Sequence, residues 1–289
     1  MGRIRIGVAG WDYPDWNGIV YPAGEPAAAD RLAWIARFVD VVEINSSFYR
    51  PASPRTAESW VRRTAGIPGF TFTAKAHRSW THSREDLLIR ETLDGLEPLK
   101  EAGRLTSLLL QFPQSFHYGP GSMDHLRRLI DAAGDYPLSL EVRHRSWDHE
   151  GLEEELTGAG IGWCAIDQPR TGPAVLPALP LVTSPEGYLR LHGRNVDNWF
   201  REGAGRDARY DYHYSGRELE ELEAVAAAMA ESAEETVLIQ NNHFRGKALA
   251  NALEMRFRLT GEKPEAPATL VDEYPGLGEI CRIIRTTLF

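Results

Sequence analysis

Six residues carry most of the chemical potential of this chain: Glu43, Lys75, Glu141, Arg143, Arg190 and His192. Each falls in or just after a short β-rich run. Lys75, Arg143 and Arg190 bring positive charge from three runs, and His77, His144, His192 and His243 stand on or beside four. Histidine titrates near neutrality, so His192 or His144 could serve as an acid opposite Glu43 or Asp167 as base. Asn45, Gln111 and Asn242 add neutral groups able to orient a ligand. Trp11, Tyr13 and Tyr49, with Trp16, Trp80, Trp147 and Trp199, fall near the same strand ends. Aromatic faces beside arginines suit stacking on bases or sugars, while packing alone explains any single ring equally well. The set points to a phosphate-bearing ligand, an anionic small molecule or a nucleic acid, with phosphoester hydrolysis as the reaction it could run.

The elements that must position these residues show in the hydrophobic pattern. Eight runs read as strands: Ile4–Ala9, Val41–Asn45, Phe70–Ala76, Ser107–Gln111, Leu138–Arg143, Trp163–Asp167, Tyr188–His192 and Val237–Gln240. Helical patterns lie near Ala27–Val39, Pro54–Thr64, Arg84–Ala102, Ser122–Ala133, Asp148–Thr157, Gly216–Ser232, Gly246–Leu259 and Leu277–Arg285. Ser53 before Pro54 and Ser122 before Asp124 read as helix starts. Strand–helix alternation repeated eight times implies a parallel sheet closed into a (β/α)8 TIM-type barrel, one domain over 1–289. Parity supports closure. Val42, Ile44, Phe72, Ala74, Leu108, Leu110, Leu189, Leu191, Val237 and Ile239 would face the helices. Glu43, Asn45, Thr73, Lys75, Gln111, Asp167, Arg190, His192, Gln240 and Asn242 would face the lumen. An open doubly wound sheet would be apolar on both faces.

Two stretches break the regular pattern. PRTGPAVLPALPLVTSPEG, between strands six and seven, is too proline-rich for a full helix, and the 23 residues from Gly193 to Ser215 form a long polar and aromatic loop. Its Trp199, Phe200, Tyr210, Tyr212 and Tyr214 argue for a packed lid over the mouth rather than disorder.

The totals set outer limits. A net charge of −9 argues against a generally basic nucleic-acid coat but leaves room for a local basic cleft. Four glutamates fall in Glu150–Glu155 and four more in Glu218–Glu223, so the outer helices carry the opposite sign to the mouth. Cys164 and Cys281 are too few for a disulfide framework and lack metal-ligand spacing, which leaves two buried thiols. MGRIRIGVAG reads as a basic strand rather than a signal peptide, and no run is long enough to span a bilayer, so a cytoplasmic location without a membrane partner is expected.

EINSSFYRP (Glu43–Pro51) and GVAGWDYPDWNG near the start give the chain a family likeness, extended by FTAKAHRSWTH, LLLQFPQSF, LEVRHRSW, YLRLHG and NNHFRGKALANA. The combination resembles the YecE-like family, also called domain of unknown function seventy-two, over nearly the whole chain. The resemblance implies a (β/α)8-type barrel and little about activity. Its recurring polar positions correspond here to Trp11, Tyr13, Glu43, Asn45, Tyr49, Lys75, His82, Gln111, Glu141, Arg143, His144, Arg190, His192, Gly193, Asn242 and His243.

Three alternatives compete with the phosphoester reading. A self-neutralising lumen, Lys75 on Glu43 and Arg143 on Glu141 or Asp167, needs no ligand. A barrel that grips nucleic acid without turning it over would use the same cations and aromatics. A divalent metal, as in barrels resembling endonuclease IV or xylose isomerase, would use Glu141-x-x-His144 and the Arg190-x-His192 pair, but an arginine stands where a carboxylate is needed, so no metal or other cofactor is expected. Glycosidase carboxylates are missing from strands four and seven, and GxSxG, phosphate-loop and GxGxxG motifs are absent.

Overall fold

The computed structural model describes residues 2–24, 30–85, 87–169, 172, 175–176, 178–199, 201, 203 and 205–285. Phe200, the first residues of the helix expected at Ala27–Val39 and part of the proline-rich stretch lie outside the described residues. Eight strands close into an all-parallel barrel in sequence order: β1 (Arg3–Ala9), β2 (Val41–Ile44), β3 (Thr71–Lys75), β4 (Leu105–Gln111), β5 (Leu138–Glu141), β6 (Gly162–Asp167), β7 (Glu186–Leu191) and β8 (Glu235–Gln240). Closure is made by β1 on β8, with Gly7 opposite Ile239 and Val8 opposite Gln240. All eight expected strands are present.

Around them run α1 (Arg31–Ile35), α2 (Pro54–Arg63), α3 (Ile89–Glu101), α4 (Pro120–Ala133), α5 (Leu152–Ala159), then the short α6 (Val196–Trp199) and α7 (Arg206–Arg209), and α8 (Gly216–Ser232) and α9 (Lys247–Thr260). Among the described residues no helix stands between β6 and β7. Ser53 caps α2 by accepting the Thr56 N–H, with Pro54 supplying a preset φ at the first position. Ser215 and Glu218 form a reciprocal capping box that starts α8. Ser122 caps nothing: α4 begins at Pro120, and the Ser122 hydroxyl donates back to the His117 carbonyl. The expected C-terminal helix is only Leu277–Ile280, because Arg282–Ile284 turn extended and pair with Glu265–Pro267.

Two apolar layers hold the barrel. The outer one lies between strands and helices and includes Val42, Phe72, Leu108, Leu140, Leu189 and Leu238. A smaller inner cluster, Ala9, Val41, Leu109, Cys164, Ile166, Tyr188, Val237 and Ile239, draws residues from six strands and fills the lower lumen. Parity therefore holds for β2, β3, β4 and β7, and fails for β6 and β8. Ile166 rather than Asp167 points inward, and Val237 and Ile239 face the lumen instead of the helices. A barrel interior is packed with bulky side chains below its mouth, so an apolar residue on a strand is no sign of an outward face. Both cysteines are free and buried.

Candidate active site at the barrel mouth

At the C-terminal ends of the strands a cavity of about 430 Å³ opens, the face where such barrels carry their chemistry. Gly10, Trp11, Asp12, Tyr13, Asn45, Ser46, Tyr49, Lys75, Gln111, Arg143, Arg190, His192, Tyr210, Asn241 and His243 line it. The strand ends set the floor. Gly10 turns the chain sharply after β1 with φ +76°, and a Cβ there would meet the Tyr13 hydroxyl at 2.6 Å, so only glycine lets Tyr13 fold back onto the Ala9 carbonyl. Ser47 ties the ends of β2 and β3 together through the Ile44 and Lys75 carbonyls. Buried His77 does not reach the cavity; its Nδ1 meets Ser79 and its Nε2 the Tyr49 carbonyl, which fixes the loop that carries Tyr49.

Beneath the floor lies an ionic knot. Arg190 donates from Nε and Nη2 to the two oxygens of Glu43 at 2.8 and 2.7 Å and from Nη1 to Glu141. Tyr188 donates to Glu43 as well, and Arg143 approaches the other oxygen of Glu141 at 3.0 Å. Both carboxylates are fully buried. Burial opposes the charge on Glu141, yet Arg190 and the other cations outweigh it and hold the carboxyl well below the usual range. Burying such charges is tolerable only because every one is matched. The knot corrects the expected pairing: Glu43 belongs to Arg190, not to Lys75, and with its oxygens occupied it is no general base for a ligand above.

Lys75 stands apart from this network. Its Nζ donates to Gln111 Oε1 at 2.7 Å and lies 4.5 Å from the Phe48 ring centre, and it makes no ion pair with the described residues. Gln111 is turned to accept by its own Nε2, which donates to the Phe112 carbonyl. Burial, then the positive charge of Arg190, push the Lys75 pKa down to about 8, against the pull of Glu43 and Glu141.

His192 is buried in the cavity wall. Asn241 donates to its Nδ1 at 2.8 Å, so the neutral ring carries its proton on Nε2, which faces Glu141 at 3.4 Å. Burial pushes its pKa down to about 3 despite that carboxylate, so the ring is neutral at physiological pH. Asn241 takes the place expected of Asn242, whose amide turns outward to the Tyr212 carbonyl and Asn251. Asp167 also leaves the site: Arg194 clamps both its oxygens, and Tyr214 donates to it at 2.7 Å. His144 stays on the outside, capping Ser146 and stacked on His117 at 3.8 Å. Glu141 and His144 therefore do not converge, and no group of three or more metal-ligating side chains forms among the described residues.

Trp11, Tyr13, Asn45, Tyr49, Lys75, Gln111, Arg143, Arg190 and His192 thus line one cavity, whereas Glu141 sits just under them and Glu43, Asp167, His144 and Asn242 do not face it. Asn241, His243, Ser46 and Asp12 complete it. Counting inward from Val237 and Ile239 would have found Asn241. The long loop packs over one side: the Arg143 guanidinium lies 5.6 Å from the Trp199 ring, and Tyr210 stands against His243 at 5.3 Å. Tyr214 and Asn195 pin that loop, through Asp167 and through the Ala208 and Asp211 carbonyls. Trp16, Trp80 and Trp147 are packing residues, fully buried.

No helix among the described residues is long and apolar enough to cross a membrane. The chain is 29% identical over 268 residues to the UPF0759 protein YunF of Bacillus subtilis, covering 87% of this chain and 93% of that protein. The crystal structure of a DUF72 family protein from Thermotoga maritima superposes with a TM-score of 0.75 at 32% identity, covering 89% of this chain and 99% of the other. One from Enterococcus faecalis gives 0.78 at 25% identity, covering 89% and 95%. The family model described as protein of unknown function DUF72 matches residues 5–273, so this barrel is a member of the DUF72 family.

Proposed function

We propose that the mouth binds a small phosphate-bearing molecule, with Lys75 and Arg143 taking its charge and Trp11, Tyr49 and Tyr210 its organic part. The observation that carries this reading is Lys75, a cation in a cavity whose nearest partner is a neutral amide. In and beneath the cavity Lys75, Arg143 and Arg190 meet Glu43 and Glu141, while Asp12 in the wall is taken by Arg31, and an arriving anion supplies the missing charge. A self-neutralising lumen leaves that charge unanswered. The enclosed volume suits a small ligand, which favours a nucleotide-sized molecule over a long strand of nucleic acid. Tyr49, 68% exposed at the rim, offers a flat face to a base or sugar. Hydrolysis gains less support. Of the four residues given acid or base roles, His192 alone lines the cavity, and its low pKa makes it a weak base.

Thermal unfolding with and without inorganic phosphate or a mononucleotide tests the reading. Arg143→Ala should keep the fold and lose the phosphate-induced rise in Tm, because Glu141 still has Arg190. An unchanged rise in that variant and in Lys75→Met would remove the reading.

A further inference from the structure

Of the 32 lysine and arginine residues only four are lysines: Lys75, Lys100, Lys247 and Lys263. Lys100 pairs with Asp135 at 2.9 Å, Lys247 pairs with Asp211, and Lys263 lines a cleft at the other end of the barrel. A chain that uses arginine nearly everywhere places one lysine in the wall of its mouth. For holding an anion, arginine would serve there at least as well, with a fork that matches a phosphate. What lysine adds is an amine that can give up its proton.

The surroundings favour that loss. With a pKa of about 8, roughly half of the Lys75 amines are neutral at pH 8, against about three in a thousand for a lysine at its ordinary value. Gln111 accepts one N–H and so directs the nitrogen, and the Phe48 ring, 4.5 Å away, presents its face to the ammonium form, so the lowering comes from burial and from the charge of Arg190. Arg143 and Arg190 line the same cavity and stay charged when the amine does not. A nucleophilic amine and fixed cations in one pocket match a substrate that is at once a carbonyl compound and an anion.

We propose that Lys75 is a catalytic nucleophile whose amine condenses with the aldehyde or ketone group of a small substrate, while Arg143 holds that substrate's phosphate or carboxylate. The inference rests on the anion-binding reading above and adds the reacting group. The nitrogen lone pair forms a bond to the carbonyl carbon as the C=O π pair moves to oxygen, and a proton passes from nitrogen to that oxygen. A solvent proton then lets the hydroxyl leave as water, and the lone pair closes a protonated C=N bond. No oxidant or reductant is consumed. The resulting iminium withdraws electrons from the neighbouring carbon, the basis of aldol-type cleavage and of decarboxylation.

The test is reductive trapping of the full-length protein at pH 8 with glyoxylate or dihydroxyacetone phosphate and sodium cyanoborohydride, followed by intact mass and peptide mapping. The expected result is one reduced adduct on Lys75, in about tenfold or greater excess over Lys100, Lys247 and Lys263, suppressed by inorganic phosphate and absent from Lys75→Arg. Even labelling of the four lysines, or none at Lys75, in protein that still gains Tm with phosphate overturns the nucleophile and leaves anion binding standing. Labelling at Lys75 that phosphate leaves untouched, with no phosphate effect on Tm, overturns the inference together with the reading beneath it. Because mapping is done on the unaltered protein, the result does not depend on the folding of a variant.

Discussion

The barrel has a basic cleft at each end, and the larger one is not the candidate site. At the N-terminal end of the strands, Arg3, Arg37, Lys263, Arg256 and Arg282 line a cleft of about 630 Å³. Two of its cations are shared with acids, Arg256 meeting Asp40 at 2.7 Å and Arg37 standing 4.0 Å from Glu265, and Arg3, Lys263 and Arg282 are exposed to solvent. At the C-terminal end the cavity is smaller, its floor is a buried network of matched charges, and one cation above that floor rests on an amide. The lesson is that neither volume nor the number of basic residues marks a binding site. A charge drawn partly out of solvent, without an ion-pair partner, is the informative feature, because folding alone gives no reason to keep it.

The sharpest way to break this comparison is to attack the floor. Arg190→Met leaves Glu43 and Glu141 buried without their main partner and should lower stability by about 3–5 kcal/mol in denaturant unfolding. Adding Glu43→Gln and Glu141→Gln to it should restore much of the loss. A small effect of Arg190→Met alone would mean that the knot is wetter than its burial implies.

Lys75→Met should act the opposite way, raising stability by about 1–3 kcal/mol at pH 7 while abolishing the phosphate response. The sign follows from the proton count. The folded pKa, about 8, lies below the ordinary 10.5, so between those values the unfolded chain holds more protons and the wild type gains stability as pH rises. The advantage of the variant should therefore shrink between pH 8 and 10.5, and phosphate affinity in the wild type should fall above pH 8. A pH-independent difference would place Lys75 in contact with bulk water.

A smaller effect is expected at the rim. Tyr49→Ala should weaken a mononucleotide by about 1–3 kcal/mol and leave inorganic phosphate unchanged. Equal losses for both ligands would assign the ring to shaping the loop, not to stacking. The least change is expected at the opposite cleft. Arg256→Ala should shift stability by no more than about 1 kcal/mol and leave the phosphate-dependent Tm intact. If it removed that dependence instead, the two ends of the barrel would have to exchange roles.

Much of this was legible before any coordinates. Alternating residues in LSLEVRHRSW and YLRLHG place Glu141, Arg190 and His192 correctly, because a polar residue in mid-strand has few places to go except a lumen or solvent. Asp167 and Asn242 were misplaced by the same logic, since each finds polar partners outside the barrel: Arg194 and Tyr214 for one, Asn251 and the Tyr212 carbonyl for the other. Those partners come from the loop after β7 and from α9, and no strand periodicity announces them. The pairing of Glu43 with Arg190 was equally hidden. The two residues lie 147 positions apart and meet across the ring, a distance that depends on barrel closure and not on local pattern.

The contact between Arg143 and Trp199 has a practical corollary. The guanidinium lies 5.6 Å from the indole and also lines the cavity, so an anion that reaches Arg143 alters the electric field on that chromophore. Trp16, Trp80, Trp147 and Trp163 are sealed in the core and supply a constant background, and Trp11, in the cavity wall, reports beside Trp199. The molecule thus carries its own optical gauge of occupancy, and titrating small anions while watching emission would screen for ligands of the mouth without a label.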